Sequence, residues 1–186
     1  MMGMAATLKG QLLIASPSIH DPNFRRTVVY MTEHGEEGAM GLVLNRAAET
    51  TVGEAVPDLA WLADEDAVVH VGGPVAAQSV VVLAEFEDPS QSALIVDEDL
   101  GFVPAEVDDT AALSDALGRR RVFAGHAGWG PGQLEAEMEE ESWIVEPARR
   151  EDVFTPEPEE LWSTVLRRKG QQYALLSTMP MDPSLN

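Results

Sequence analysis

Val122-Phe123-Ala124-Gly125-His126-Ala127-Gly128-Trp129-Gly130-Pro131-Gly132-Gln133-Leu134 places four glycines, a proline, a histidine and a tryptophan between a strand-like run and a helix-like run. A chain needs glycine at that density where its backbone takes φ > 0 or where another group must approach closely, and the indole sets a large flat surface at the same spot. The stretch reads as a ligand-accepting loop or as a very tight corner. What lies on either side of it decides the fold.

Before it the chain reads as strands. Gln11–Ala15, Thr27–Met31, Met40–Leu44, Val68–Val71, Val80–Leu83 and Leu94–Val96 are short runs rich in Val, Leu and Ile, separated by turn residues such as Asp21-Pro22-Asn23 and Asp88-Pro89-Ser90. Thr51–Trp61 holds a short helix with Thr51 as N-cap, broken at Pro57. Helices follow. Asp109–Gly118 has an acidic N-cap, apolar Ala112, Leu113, Ala116 and Leu117 at helical spacing, and a glycine stop before three arginines. A strand over Arg121–Ala124 then leads into the glycine-rich turn and a helix over Pro131–Glu141, with Pro131 at its first position. Trp143–Val145 reads as a strand. Pro158–Lys169 forms a helix with Leu161, Trp162, Val165 and Leu166 on one face and Gly170 as its cap, and Tyr173–Leu176 reads as a closing strand. Strands that mostly follow one another before the helices appear predict an α+β fold with a mixed sheet.

At 186 residues the expectation is one domain over 8–178, with loose tails at 1–7 and 179–186. The absence of cysteine excludes disulfides, thiolate metal sites and a cysteine nucleophile. No apolar stretch approaches the roughly 20 residues of a membrane span, and the opening lacks a signal-peptide core, so the expected location is cytoplasmic, away from membranes. The formal net charge is −20, from 32 acidic and 12 basic residues. A field that negative opposes nucleic acid and disfavours direct DNA contact. Basic residues do cluster, at Arg25-Arg26, Arg119-Arg120-Arg121, Arg149-Arg150 and Arg167-Arg168-Lys169. Two of these clusters fall at expected helix C-termini, where cations offset the macrodipole.

Gly125-x-x-Gly128-x-Gly130-x-Gly132 ahead of a helix suits an anion cradle, since N–H groups at a helix start favour negative charge. It lacks the Lys-Ser or Lys-Thr of a P-loop and the dinucleotide spacing, and Glu135 competes for the positive helix end. A structural corner is the competing reading, in which Trp129 plugs the fold. His126 is the one histidine placed for general-base work, but no Gly-x-Ser-x-Gly elbow or cysteine supplies a nucleophile. His20, His34 and His70 share no recognised metal spacing, and neither a metal nor a cofactor is expected. Asn45-Arg46 ends a strand with an amide and a guanidinium, a pair suited to a carboxylate, a phosphate or a loop backbone. Gly72-Gly73-Pro74-Val75 reads as a sharp turn, and Arg25-Arg26 as arginines paired to carboxylates.

Taken together, the chain resembles the YqgE/AlgH family of small bacterial proteins. The resemblance rests on Gly10-Gln11-Leu12-Leu13-Ile14-Ala15 with Pro17, Phe24-Arg25-Arg26-Thr27-Val28-Val29, Gly41-Leu42-Val43-Leu44-Asn45-Arg46, Gly72-Gly73-Pro74-Val75 and Gly128-Trp129-Gly130-Pro131-Gly132-Gln133-Leu134-Glu135. It implies a single α+β domain with a branched mixed sheet, partly curled like a barrel and surrounded by helices. The family's name reflects a proposed role in transcriptional regulation, and the resemblance implies no catalytic residue. This chain departs from the family's pattern at Ala47, where Pro is common, and at His126, where Tyr is common.

Three functions follow as expectations. The first is a non-enzymatic binding or regulatory module for a small molecule or protein, its surface formed by Asn45, Arg46, Gly72, Gly73, Pro74, Gly128, Trp129, Gly130, Gly132, Gln133 and Glu135. The second is a hydrolase or transferase with His126 as general base and Gln133 or loop N–H groups as oxyanion donors. The third is a transcriptional regulator. The oligomeric state is not legible in the sequence.

Overall fold

The structure, a computed structural model, describes residues 7–179. The expected tails over 1–7 and 179–186 lie outside the described residues except for Thr7 and Met179. The elements are β1 (Gln11–Ala15), β2 (Val28–Gly35), β3 (Gly38–Val43), β4 (Ala47–Thr51), α1 (Val52–Ala55), β5 (Val68–Val71), β6 (Val75–Phe86), β7 (Leu94–Asp97), β8 (Leu100–Phe102), α2 (Thr110–Ala116), β9 (Leu117–Trp129), α3 (Gln133–Glu139), β10 (Trp143–Pro147), α4 (Arg150–Val153), α5 (Pro158–Lys169) and α6 (Gln171–Leu176). The fold is α+β. Its mixed ten-stranded sheet runs β10-β1-β2-β3-β9-β6-β8-β7, and a branch carries β5 and β4 off β9. All the ladders are antiparallel except β5 with β9.

The branch exists because one edge of β9 serves two strands in succession. His70 and Val71 pair with Phe123 and Ala124, and Ala39 to Gly41 pair with Trp129 to Ala127. The chain leaving β5 passes between the two. Gly72 donates to the Ala124 carbonyl at 2.8 Å and accepts from the Val43 amide at 2.8 Å, stitching β3 to β9. A Cβ on Gly72 would strike the Gly125 carbonyl, and one on Gly125 would strike the Gly73 carbonyl. Gly125 also has φ +73°, a left-handed conformation that reverses the strand's side-chain parity. Val122 packs in the core with Val52 and Val69, whereas Ala127 and Trp129, of opposite parity, pack in the core with Leu13 and Val29.

Two cores sandwich β1 and β2, which accounts for their unbroken apolar runs: each buries both faces. Leu12, Ile14, Val28 and Tyr30 meet Leu161, Trp162, Val165 and Leu166 of α5 on one side. Leu13, Ala15, Val29 and Met31 meet Trp129, Leu134 and Trp143 on the other. The Trp162 indole donates to the Ala15 carbonyl at 2.9 Å, tying α5 to the sheet. α5 has the expected bounds and buried face, with Arg167, Arg168 and Lys169 in its last turn. Thr51 caps α1, and a 3-10 turn over Pro57–Leu62 follows it.

Several expectations are corrected. The glycine-rich stretch is not a turn up to Trp129 but the second half of β9, because Gly125 serves close backbone approach within a sheet and Gly128 pairs in its ladder with Met40. α2 ends at Ala116, so Gly118 and Arg119 to Arg121 lie in β9 and not at a helix terminus. α3 begins at Gln133 behind left-handed Gly132, which leaves Pro131 outside it. Tyr173–Leu176 is helical in α6: Tyr173 and Leu176, three residues apart, reach the core while Leu175 is 72% exposed, a helical period with no strand edge beside it. β2 and β6 extend past their expected ends, and β4, β8 and α4 were not expected; β4, Ala-Ala-Glu-Thr-Thr, has little apolar signal and forms by pairing with β5. Arg26 meets the Met179 carbonyl and stacks 4.6 Å over Trp162, where a carboxylate had been expected.

Gly125→Ala is expected to lower stability by about 3 kcal/mol or more, combining left-handed strain with backbone overpacking. Gly53→Ala, in α1 with open space at its Cβ, should be neutral or stabilising by up to about 1 kcal/mol. Urea unfolding midpoints compare them; equal effects would refute a packed junction.

Candidate functional site

The residues singled out from the sequence fall into two groups, both touching the segment 21–26. Arg46, Gly73 and Pro74 line a small cavity of about 170 Å³ with Asn23, Val43, Val71 and Ala77. Their polar groups face the protein's own backbone. Asn45 accepts from the Val28 amide at 2.9 Å and donates to the Arg26 carbonyl at 2.8 Å, and Arg46 donates to the carbonyls of Asn23 (2.8 Å) and Arg25 (3.1 Å). Of the partners open to this pair, loop backbone is the one observed. Burial and the neighbouring Arg25 charge hold the Arg46 guanidinium below its ordinary value.

The second group surrounds Trp129, only 6% exposed and stacked near Phe24 and Trp143 with ring centroids 6.3 and 6.0 Å away. The Glu137 carboxylate gathers donors from the Trp129 indole (3.1 Å), the Trp143 indole (2.9 Å) and the Gln133 amide (3.0 Å). The Gln133 oxygen accepts from Gly130 N–H at 3.0 Å. Glu135 bonds His34 Nε2 at 3.0 Å, and His34 Nδ1 accepts from the Leu8 amide. Gly128 pairs with Met40, and Gly132 supplies the positive φ before α3. His126, paired with Val75 and half-buried, hydrogen-bonds through its ring to no carboxylate or hydroxyl among the described residues.

A larger cleft, about 760 Å³, opens along the edge of β9 where β5 has not yet joined it. Its walls come from α1 and the 3-10 turn (Val52, Trp61, Leu62), from β9 (Gly118 to Val122) and from Phe154 and Pro156, with Asp64 and Asp66 at its exposed rim. At its base lies His70, 4% exposed, against the Phe123 ring at 5.8 Å. Both ring nitrogens of His70 are buried, and neither has a hydrogen-bond partner among the described residues. Leaving such groups unpaired costs about 1–3 kcal/mol each, so their retention needs an explanation. Sequence reading passed over His70 after testing it for metal spacing alone; the available signal was a polar ring inside Val68-Val69-His70-Val71.

The three consecutive arginines of the cleft are deployed differently. Arg119 is held by Glu85 through two bonds of 3.0 and 3.1 Å, an arrangement that, led by the Arg119 side-chain bond, pulls the Glu85 carboxyl down to about 2. Arg120 binds the carbonyls of Ser114, Leu117 and Gly118 and the Ser114 hydroxyl, fastening α2 to β9. Among the described residues Arg121 gives one bond, to the Val153 carbonyl at 3.2 Å, and burial holds its guanidinium pKa below the ordinary value. Burial likewise pushes the His70 ring down to about 4, with the Arg121 charge adding to the shift; the nearby Val68 carbonyl opposes it to a smaller extent, without the geometry of a hydrogen bond to either ring nitrogen. Among the described residues no three His, Asp or Glu side chains gather as a metal ion would require, and no helix is long and apolar enough to cross a membrane.

An AlgH-like family model matches residues 12–174. The chain is 43% identical to a UPF0301 protein of Streptomyces coelicolor, over the whole of both chains, and 41% identical to one of Chlorobaculum tepidum, over 95% of each. Its fold is similar to the crystal structure of a Corynebacterium diphtheriae protein, with TM-score 0.83 and 30% identity over 96% of this chain and 95% of that one. The solution structure of the AlgH protein from Pseudomonas aeruginosa matches with TM-score 0.68 and 33% identity, covering 96% and 98%.

The folded chain keeps His70 neutral while the unfolded chain protonates it below pH 6.5, so stability falls as pH drops from 6.5 toward 4. The loss expected by pH 4.5 is about 2–3 kcal/mol. Urea unfolding of His70→Gln at pH 7 and 4.5 should show a correspondingly smaller acid loss than the wild type; equal losses would exclude the buried ring as the titrating group.

Proposed function

This chain belongs to the AlgH-like family, and from that premise and its own geometry we propose that it is a non-enzymatic binding or regulatory module, holding a small ligand in the cleft between β5 and the first half of β9. One observation carries the reading: a buried imidazole at the base of a large cleft with both nitrogens unpaired. A ligand that pairs either of them recovers a hydrogen bond the fold leaves unmade among the described residues, which is a source of affinity at that position.

The absence of an assembled base and nucleophile supports binding over chemistry. Neither His70 nor His126 contacts a hydroxyl or carboxylate among the described residues, and the cleft's serine, Ser114, is engaged by Arg120. The net charge of −20 favours a ligand or protein partner over direct contact with DNA. The glycine junction then acts as the scaffold, since it fixes β5 against β9 and so sets His70 beside Phe123 and Arg121.

A thermal-shift screen of nucleotides, phosphorylated metabolites, carboxylates and divalent metals tests this. A ligand at 100 times its Kd adds about 2.7 kcal/mol, and a domain of this size moves roughly 2–4 °C per kcal/mol. The shift is expected to disappear in His70→Gln and to persist in Arg46→Ala. A shift lost in Arg46→Ala and kept in His70→Gln would move the site to the Arg46 and Pro74 cavity, and no shift with any compound would leave a protein partner as the reading.

A further inference from the structure

Resting on that binding reading, we infer that the cleft recognises a small oxyanion bearing its own O–H donor, its anionic head on Arg121 and its hydroxyl on His70. A 2-hydroxycarboxylate and a phosphate monoester in its hydrogen form share this chemistry.

The inference follows from which donors and acceptors remain unspent. In a chain with 32 acidic residues, the guanidiniums of Arg119, Arg150 and Arg168 find carboxylates and Arg120 is spent on four acceptors, whereas Arg121, half-buried in the cleft wall, meets no carboxylate among the described residues. A guanidinium carries five N–H donors in a fork matched to carboxylate and phosphate, and Arg121 commits one of its nitrogens to Val153. Arg121 and Phe123 lie two residues apart on the same face of β9, and His70 is registered directly against Phe123, so guanidinium and imidazole face the same space. The Ser114 hydroxyl, accepting from Arg120 at 3.0 Å, keeps its own proton free to donate into the cleft.

A neutral imidazole presents one N–H and one bare nitrogen. The bare nitrogen accepts only from a donor: an oxyanion alone offers it none, whereas a ligand hydroxyl does, while the anionic head rests on Arg121. A cation fits poorly, because Arg121 lines the same cleft as His70 and no group of three His, Asp or Glu side chains gathers among the described residues. Asp64 and Asp66 at the mouth, together with the overall negative field, select against multiply charged anions such as nucleoside triphosphates. Trp61, Leu62, Val122 and Phe154 provide apolar wall for a body beyond the head group.

Histidine-ring and arginine Nε resonances of the full-length chain, titrated with four probes, test the assignment. Lactate and inorganic phosphate should move the His70 ring signals in a saturable way, acetate at least tenfold more weakly, and glycerol not at all. The stronger of lactate and phosphate identifies the source of the head group. Arg121→Gln should weaken binding of that probe at least tenfold, with Arg121→Lys falling between it and the wild type, and thermal melts of both variants confirm that they are folded. Acetate as effective as lactate would overturn the hydroxyl assignment. Glycerol as effective as lactate would overturn the anion assignment while leaving the cleft a ligand site. Failure of all four probes to move His70 would overturn the oxyanion assignment, and with the absence of any His70-dependent thermal shift it would overturn the small-ligand reading of the cleft as well.

Discussion

Where β3, β5 and β9 meet, three stretches of backbone lie closer together than side chains allow. Gly72, Gly73 and Gly125 occupy that meeting point, and each would drive a Cβ into backbone of an adjoining stretch. Their approach lets one edge of β9 serve β5 and then β3, which produces the branch. The left-handed turn at Gly125 then carries β9 from one core to another, so that Phe123 and Trp129, of the same parity, pack in different cores. Much of the architecture depends on this junction: the α3 corner hangs from the end of β9, and the large cleft opens beside its beginning.

The chain's few cations are used economically. Most hold the fold: Arg168 bonds Asp152 at 2.8 Å, Arg150 bonds Glu85 and Asp99 at 2.9 and 2.7 Å, and Arg46 binds loop carbonyls. Glu137 does the reverse, collecting two indole N–H groups that would otherwise be buried without partners. Such groups are expensive to leave unpaired, and the structure pairs them almost everywhere. Among the described residues the His70 ring is buried unpaired, and it lines the cleft of about 760 Å³.

Legibility in the sequence tracked the range of the interactions. β1, β5 and α5 have the bounds read from their apolar patterns, because each pattern is set by burial of its own side chains. Glycine density marks a crowded backbone with φ > 0, as found at Gly125, and Trp129 is the buried plug, but the sequence does not show that the stretch is a strand: glycine in a turn and glycine in a crowded strand have the same composition. β4 escaped because its ladder partner, not its apolar content, makes it a strand. Tyr173–Leu176 has strand-forming residues and no strand edge beside it, so helical packing on α5 prevails.

The sequence by itself determined the α+β class, the buried strands and the face of α5, since side-chain periodicity against water is a local property. It also determined the acidic field, which follows from composition alone. The tertiary structure decided that the glycine-rich stretch is a strand, that Asn45 and Arg46 hold backbone, and that His70 lies unpaired beside Arg121. Those outcomes depend on which distant groups share the same space, and hydrogen-bond satisfaction is settled only when that space is filled.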